Sequence, residues 1–219
     1  EGAPTRLRQV LINLLVNAMR ARAGLDRKEI RLQEGLRYVY LEGGQGAPLM
    51  LLHGFGANKD NFILVAGLLT KRYRVIIPDH IGFGESSHPA DADYSPPAQA
   101  KRLRSFAHAL GVMDLHIGGN SMGGQIAMTY AALYPEEGQS LWLLDPGGVW
   151  SAPNSMLHTA IETTGKNPLM VKTEEDFVTL MQWVMSKPPF APRPILNVLA
   201  RERIANYTLE VRIFREIRA

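Results

Sequence analysis

Cysteine is missing from the chain altogether, which excludes a disulfide scaffold and thiolate zinc sites and leaves the redox compartment open. Also missing is any run of about 18 or more apolar residues, so neither a transmembrane helix nor a signal peptide is expected in these residues. Charge of one sign is lacking as well: 24 Lys and Arg stand against 21 Asp and Glu, a formal net charge of +3. The basic residues are spread along the chain and form no stripe, which argues against nucleic acid as a partner. The first residue is Glu1 rather than methionine, so a fragment at the front end is expected. What is present is ordinary globular material, 219 residues of which 46% are hydrophobic. That is enough for one domain with a real core and an inserted subdomain.

From residue 28 onward, β-like runs alternate with helical patterns, which predicts an α/β fold. Lys28 to Leu32 and Leu36 to Leu41, separated by Gln33-Glu34-Gly35, read as a hairpin with alternating faces, so the sheet opens antiparallel. Pro48 to Leu52, Tyr73 to Ile77 and Leu115 to Ile117 are continuous apolar runs, as expected of central strands covered on both sides. Helical stretches fall near Asn61 to Thr70 and Pro97 to Leu110, and Ser140 to Leu144 supplies a further strand. Beyond Trp150 the texture changes to helical segments broken by prolines, among them Pro188-Pro189. A helical cap is expected there, with Met156, Leu157, Phe177, Leu180, Trp183 and Phe190 among its apolar residues, either lining an acyl pocket or packing the cap on the core. The expected division is an N-terminal amphipathic helix over 1–24, a core over 25–149 and a cap over 150–219.

The chemistry concentrates at Gly119-Asn120-Ser121-Met122-Gly123, a G-x-S-x-G string between a strand and a helix. A serine at such a sharp turn sits at positive φ, and its neighbours must be small so that strand and helix can approach. Ser121 is therefore the candidate nucleophile. The helix that follows offers free N–H groups to a developing oxyanion, Met122 first among them. His53-Gly54-Phe55-Gly56 directly follows the strand at Pro48 to Leu52 and brings Phe55 forward as the second oxyanion donor. His53 reads as a structural hydrogen-bonding residue of that loop. Asp79, in the glycine-rich turn Pro78 to Ser86, reads as a carboxylate that organises its loop rather than as a catalytic acid.

H-G-F-G, P-D-x-x-G-F-G-E-S and G-N-S-M-G-G at these spacings resemble the α/β-hydrolase superfamily over roughly Arg27 to Ala219. Within it, Gly54 to Asp60, Gly123 to Ala127 and Asp145-Pro146-Gly147-Gly148 are similar to bacterial lipases and to membrane-associated monoacylglycerol lipases. The resemblance implies hydrolysis of carboxylic, lipid-like acyl esters through an acyl-enzyme at Ser121, with a histidine base and an aspartate orienting it. The implied partner is a small-molecule ester or lipid, with peripheral membrane contact. No cofactor or metal is implied, and the residues leave the location open between a bacterial cytoplasm and a membrane surface. Two alternatives stand beside it: a carbon–carbon bond hydrolase of ring-fission products, and a non-catalytic hydrolase-like binding module. The carbon–carbon hydrolases typically carry an H-G-G-G-P-G type oxyanion loop, where this chain has Phe55 and Ala57.

The family places its acid and base on later strands, in the order Ser, Asp, His. Here only His158 follows the elbow, inside the expected cap. The sheet is therefore expected to be incomplete, with its last strands, catalytic aspartate and histidine missing, and the chain by itself to be nearly inactive. Asp145, at the end of the strand after the nucleophile helix, occupies a position where some members place their acid.

The front end has a different character. Arg6 to Ala18 is amphipathic at helical spacing, with Asn13 and Asn17 one turn apart. Residues 1–19 resemble the N-box helix of histidine-kinase ATPase domains, where an asparagine matching Asn17 helps hold the nucleotide's magnesium. The other boxes of that fold are absent downstream, and one helix makes no nucleotide site. A packed or membrane-surface helix, or a junction of two unrelated coding segments, is expected instead.

Overall fold

The computed structural model of the chain describes residues 3–149, 151–188 and 191–218. Trp150, Pro189 and Phe190, assigned above to the cap and its border, lie outside them. Six strands form one mixed sheet in the order β1-β2-β4-β3-β5-β6. They are β1 (Asp26–Arg31), β2 (Arg37–Gly43), β3 (Ala47–Leu52), β4 (Tyr73–Pro78), β5 (Leu115–Asn120) and β6 (Gly138–Leu144). β1 and β2 pair antiparallel, β2 joins β4 antiparallel, and β4, β3, β5 and β6 run parallel. Parallel strands need crossovers, and helices α2 (Ile63–Leu69), α3 (Pro96–Ala109) and α4 (Met122–Leu133) supply them.

The expected apolar runs are the buried centre. Met50, Leu51 and Leu52 on β3 and Val75, Ile76 and Ile77 on β4 are fully enclosed, each such side chain contributing about 1.5–3 kcal/mol of burial. The hairpin departs from simple alternation. β1 is almost wholly exposed, whereas β2 is buried on both faces because it lies between two strands and under helices. Tyr38 and Tyr40 stack and butt against Phe106 of α3, with ring centroids at 4.7 and 5.2 Å. On the other face Leu41 joins Leu25, Leu49, Phe62, Ile63 and Val75 in a second core layer. Val16 and Met19, from the second half of α1 (Ala3–Arg22), pack on that layer. Arg20 anchors this half of α1 by a two-pronged ion pair to Asp60, both contacts at 2.7 Å.

The chain divides into two compact units, Val16–Val149 with Ile213–Ala219, and Glu1–Leu15 with Trp150–Arg212. The sheet and its helices belong to the first. The second contains α5 (Met156–Thr164), α6 (Glu174–Val184), α7 (Arg193–Ala205) and most of α8 (Tyr207–Glu216). Its core is Val171, Phe177, Leu180 and Ala200, packed by Leu169, Met181, Leu196 and Ile204. Helix α6 starts at a capping box in which Thr173 and Asp176 satisfy each other's backbone N–H groups. A buried Arg203–Glu210 pair at 2.6 Å joins α7 to α8. The last turn of α8 belongs to the larger unit, where Phe214 meets Phe55, Glu216 accepts from the Tyr94 N–H, and Gln125 donates to the Ile217 carbonyl.

Candidate active site

Strand β5 ends at Asn120 and helix α4 begins at Met122, so a single residue makes the turn between them. That residue is Ser121, at φ 52° and ψ −119°, a left-handed conformation that costs a non-glycine residue on the order of 1–3 kcal/mol. The surroundings hold it there. The Ser121 N–H donates to the Leu144 carbonyl at 3.0 Å, and its own carbonyl accepts from the N–H groups of Gln125 and Gly147, also at 3.0 Å. The flanking glycines are required by contact. A Cβ on Gly123 would sit 2.1 Å from the Leu52 carbonyl oxygen, and one on Gly119 would sit 2.3 Å from the Gly123 backbone. Helix α4 can therefore start directly against the end of β3.

The loop after β3 comes to the same place. A Cβ on Gly54 would lie 2.9 Å from Asn120 Oδ1 and 3.3 Å from Ser121 Cβ, so this loop abuts the Ser121 turn. Phe55 is the next residue. Met122 opens α4, and its N–H lies ahead of the helical i→i−4 ladder. The structure thus brings Ser121, Met122 and the Gly54-Phe55 loop together at the C-terminal ends of β3 and β5.

His53 is fully buried and both of its ring nitrogens are engaged. The His80 N–H donates to Nε2 at 3.1 Å, which makes Nε2 an acceptor. Nδ1 therefore carries the proton and donates to the Gly54 carbonyl at 2.9 Å. Burial holds the ring below its ordinary pKa, so it stays neutral. His80 stands edge-on at 4.5 Å between centroids and is held well below the ordinary range, by burial first and by His53 second. His53 is a structural member of the loop and is not available as a base.

Asp79 is likewise committed to structure. Its carboxylate accepts from the Lys59 N–H at 2.7 Å, from Lys59 Nζ at 2.8 Å and from the Glu85 N–H at 2.8 Å. Lys59 also reaches Glu85 at 2.7 Å, and Arg27 on β1 pairs with Glu85 at 2.6 Å. Burial alone would lower the Lys59 ammonium, but Asp79 and Glu85 outweigh it and raise it. For Glu85, burial works upward while Arg27 and Lys59 pull the carboxyl down to about 2. This network ties the loop after β3 to the loop after β4. Nothing local in the sequence marks Lys59, whose buried partner Asp79 lies twenty residues further along the chain.

The remaining candidates form no such network with one another among the described residues. Asp145 follows the last residue of β6 at φ 43°, exposed, and among the described residues it pairs with no histidine. His116 meets Ser140 Oγ, His108 meets Glu137, and His158 meets Glu162 one turn along α5. Among the described residues no group of three or more His, Asp or Glu is placed to hold a metal ion. Nor, among them, is any helix long and apolar enough to cross a membrane.

Residues 47–186 match the model of the alpha/beta hydrolase fold. Lipase 1 of Psychrobacter immobilis is 44% identical over 221 residues, covering 99% of this chain and 68% of that protein. The crystal structure of a membrane phospholipase A described as a bacterial virulence factor superposes with a TM-score of 0.92 at 41% identity, covering 97% of this chain and 68% of that one. A 2-hydroxymuconate semialdehyde hydrolase of Pseudomonas sp. is 38% identical over 118 residues, 52% of this chain.

Proposed function

Because the chain belongs to the alpha/beta hydrolase family, we propose that it is a carboxylic ester hydrolase of the lipase kind, acting on lipid-like acyl esters through Ser121. The observation that carries this is the strained Ser121 turn with the Gly54-Phe55 loop packed against it. Ser121 Oγ attacks the ester carbonyl carbon and passes its proton to a histidine base. The carbonyl oxygen becomes an oxyanion that accepts from the N–H groups of Met122 and Phe55. Each such donor is worth on the order of 3 kcal/mol in the transition state. Collapse of the tetrahedral intermediate expels the alcohol, which takes the proton from the base, and leaves the acyl group on Ser121. Water activated by the same base then releases the acid.

Asp145 is kept as the candidate acid on its position alone. Among the described residues no histidine hydrogen-bonds Ser121: His53 is engaged on both ring nitrogens, His108 and His116 are bonded to Glu137 and Ser140, and His80 and His88 each bury an Nε2 without a partner. We therefore infer that the chain supplies the nucleophile and oxyanion half of the machinery and turns over poorly by itself. Peripheral contact with a lipid surface belongs to the same proposal. Carbon–carbon bond hydrolysis would use the same serine, but the lipase match spans 99% of the chain against 52% for the ring-fission hydrolase. A hydrolase-like module without catalysis is separated by one experiment. Fluorophosphonate should label the wild-type chain and not Ser121→Ala, and p-nitrophenyl esters of short and long acyl length should then be compared for both. Absence of labelling together with equal turnover would sink the proposal.

A further inference from the structure

Helix α1 carries two apolar faces, and only one of them is used by the fold. Val16 and Met19 turn toward the second core layer, with Ile12 half-buried one turn earlier on the same side. At 100° per residue, Leu7, Val10, Leu11 and Leu14 fall on the opposite side, with Leu15 at its border. These five are between 50% and 63% exposed. A folded soluble surface seldom leaves a contiguous stripe of this kind open without a use for it.

The charges beside the stripe are of one sign. Arg6 lies along one border and Arg8 along the other, both exposed, and the helix has no Asp or Glu from Ala3 to Arg22. In a parallel self-pairing of two such stripes Arg6 and Arg8 of both copies would repel, and in an antiparallel one they would meet no acid, since the helix has none. An anionic surface takes the same groups favourably. The helix is not apolar enough to cross a bilayer, so it fits the interface plane, leucines toward the acyl region and arginines among the headgroups.

We propose that the leucine stripe of α1, Leu7, Val10, Leu11, Leu14 and Leu15 bordered by Arg6 and Arg8, docks the chain in the plane of an anionic lipid surface. This rests on the lipid-ester reading only for the class of surface, and binding is measured without turnover, so either can fail alone. The test is flotation of the 219-residue chain with vesicles of phosphatidylcholine, with and without phosphatidylglycerol. The wild type should bind the anionic vesicles on the order of tenfold or more tightly than the neutral ones, with the preference lost at high salt. The double variant Leu11→Asp, Leu14→Asp should lose binding to both. Arg6→Glu with Arg8→Glu should lose the anionic preference, and Leu68→Asp, on the exposed side of α2, should change nothing. Because all these positions are exposed, melting curves should match the wild type; should the leucine variant fail to fold, the arginine variant alone decides. Equal binding to both vesicle types, no binding, or wild-type binding by the arginine variant overturns the proposal. So does a concentration-dependent dimer that the leucine variant dissolves while vesicles are not bound.

Discussion

Two strand ends lie side by side, and each carries a non-glycine residue at positive φ: Ser121 after β5, at 52°, and Asp145 after β6, at 43°. The backbone strain is similar, yet the surroundings differ. Ser121 is enclosed by glycines that let β3, α4 and the Gly54 loop close on it, and three backbone hydrogen bonds hold its peptide groups. Asp145 sits on the edge strand, where Leu141, Trp142 and Leu144 are each about two-fifths exposed, and its carboxylate is open to solvent. A similar backbone strain is thus enclosed by close packing at one strand end and stands in the open at the other.

The contrast can be broken first at the side chains themselves. Ser121→Ala should abolish the fluorophosphonate labelling that the chain shows, whereas Asp145→Asn should lower it far less. Comparable losses in the two variants, read by gel fluorescence, would make both strand ends catalytic and assign Asp145 as the acid. The next effect is on the scaffold that holds the Ser121 side. Lys59→Met leaves Asp79 buried without its cation and should cost about 3–5 kcal/mol in urea unfolding. Gly123→Ala should cost on the order of 3 kcal/mol or more, since its Cβ would meet the Leu52 carbonyl at 2.1 Å. Gly138→Ala, on the β6 side where nothing lies within 4 Å, should stay within about 0.5 kcal/mol.

The smallest effects come from pH. His53 and His80 are held below the ordinary 6.5, so the unfolded chain takes up protons there first, and stability should be full above 6.5 and decline as pH falls below it. Glu85 is held at about 2 against an ordinary 4.5, so its contribution is present above 4.5 and is lost as pH falls toward 2. Glu85→Gln should flatten that lower window in a series of thermal melts. An unchanged acid profile would mean that the Lys59 network does not hold the Ser121 side in place.

Much of the site was legible in the chain because its rules are local. G-x-S-x-G states a close approach within five residues, and H-G-F-G states a loop directly after a strand. The parallel centre was equally legible from its apolar runs, as was the loop-organising part of Asp79. Lys59 was not, since a lysine is ordinarily solvated and only Asp79 and Glu85, from another loop, make its burial tolerable. The hairpin alternates less than its sequence suggests: Tyr38 and Tyr40 are polar-tipped, and Phe106 of α3, far along the chain, covers them. Phe214 against Phe55 had no local signal at all.

Spacing and side-chain chemistry therefore suffice to say which residue bends, which strand is buried and which serine is the candidate nucleophile. Which groups face one another across loops, and which charges stand buried in pairs, is decided only when the chain folds. Those contacts join residues tens of positions apart, and their energies depend on desolvation and geometry that no stretch of sequence contains.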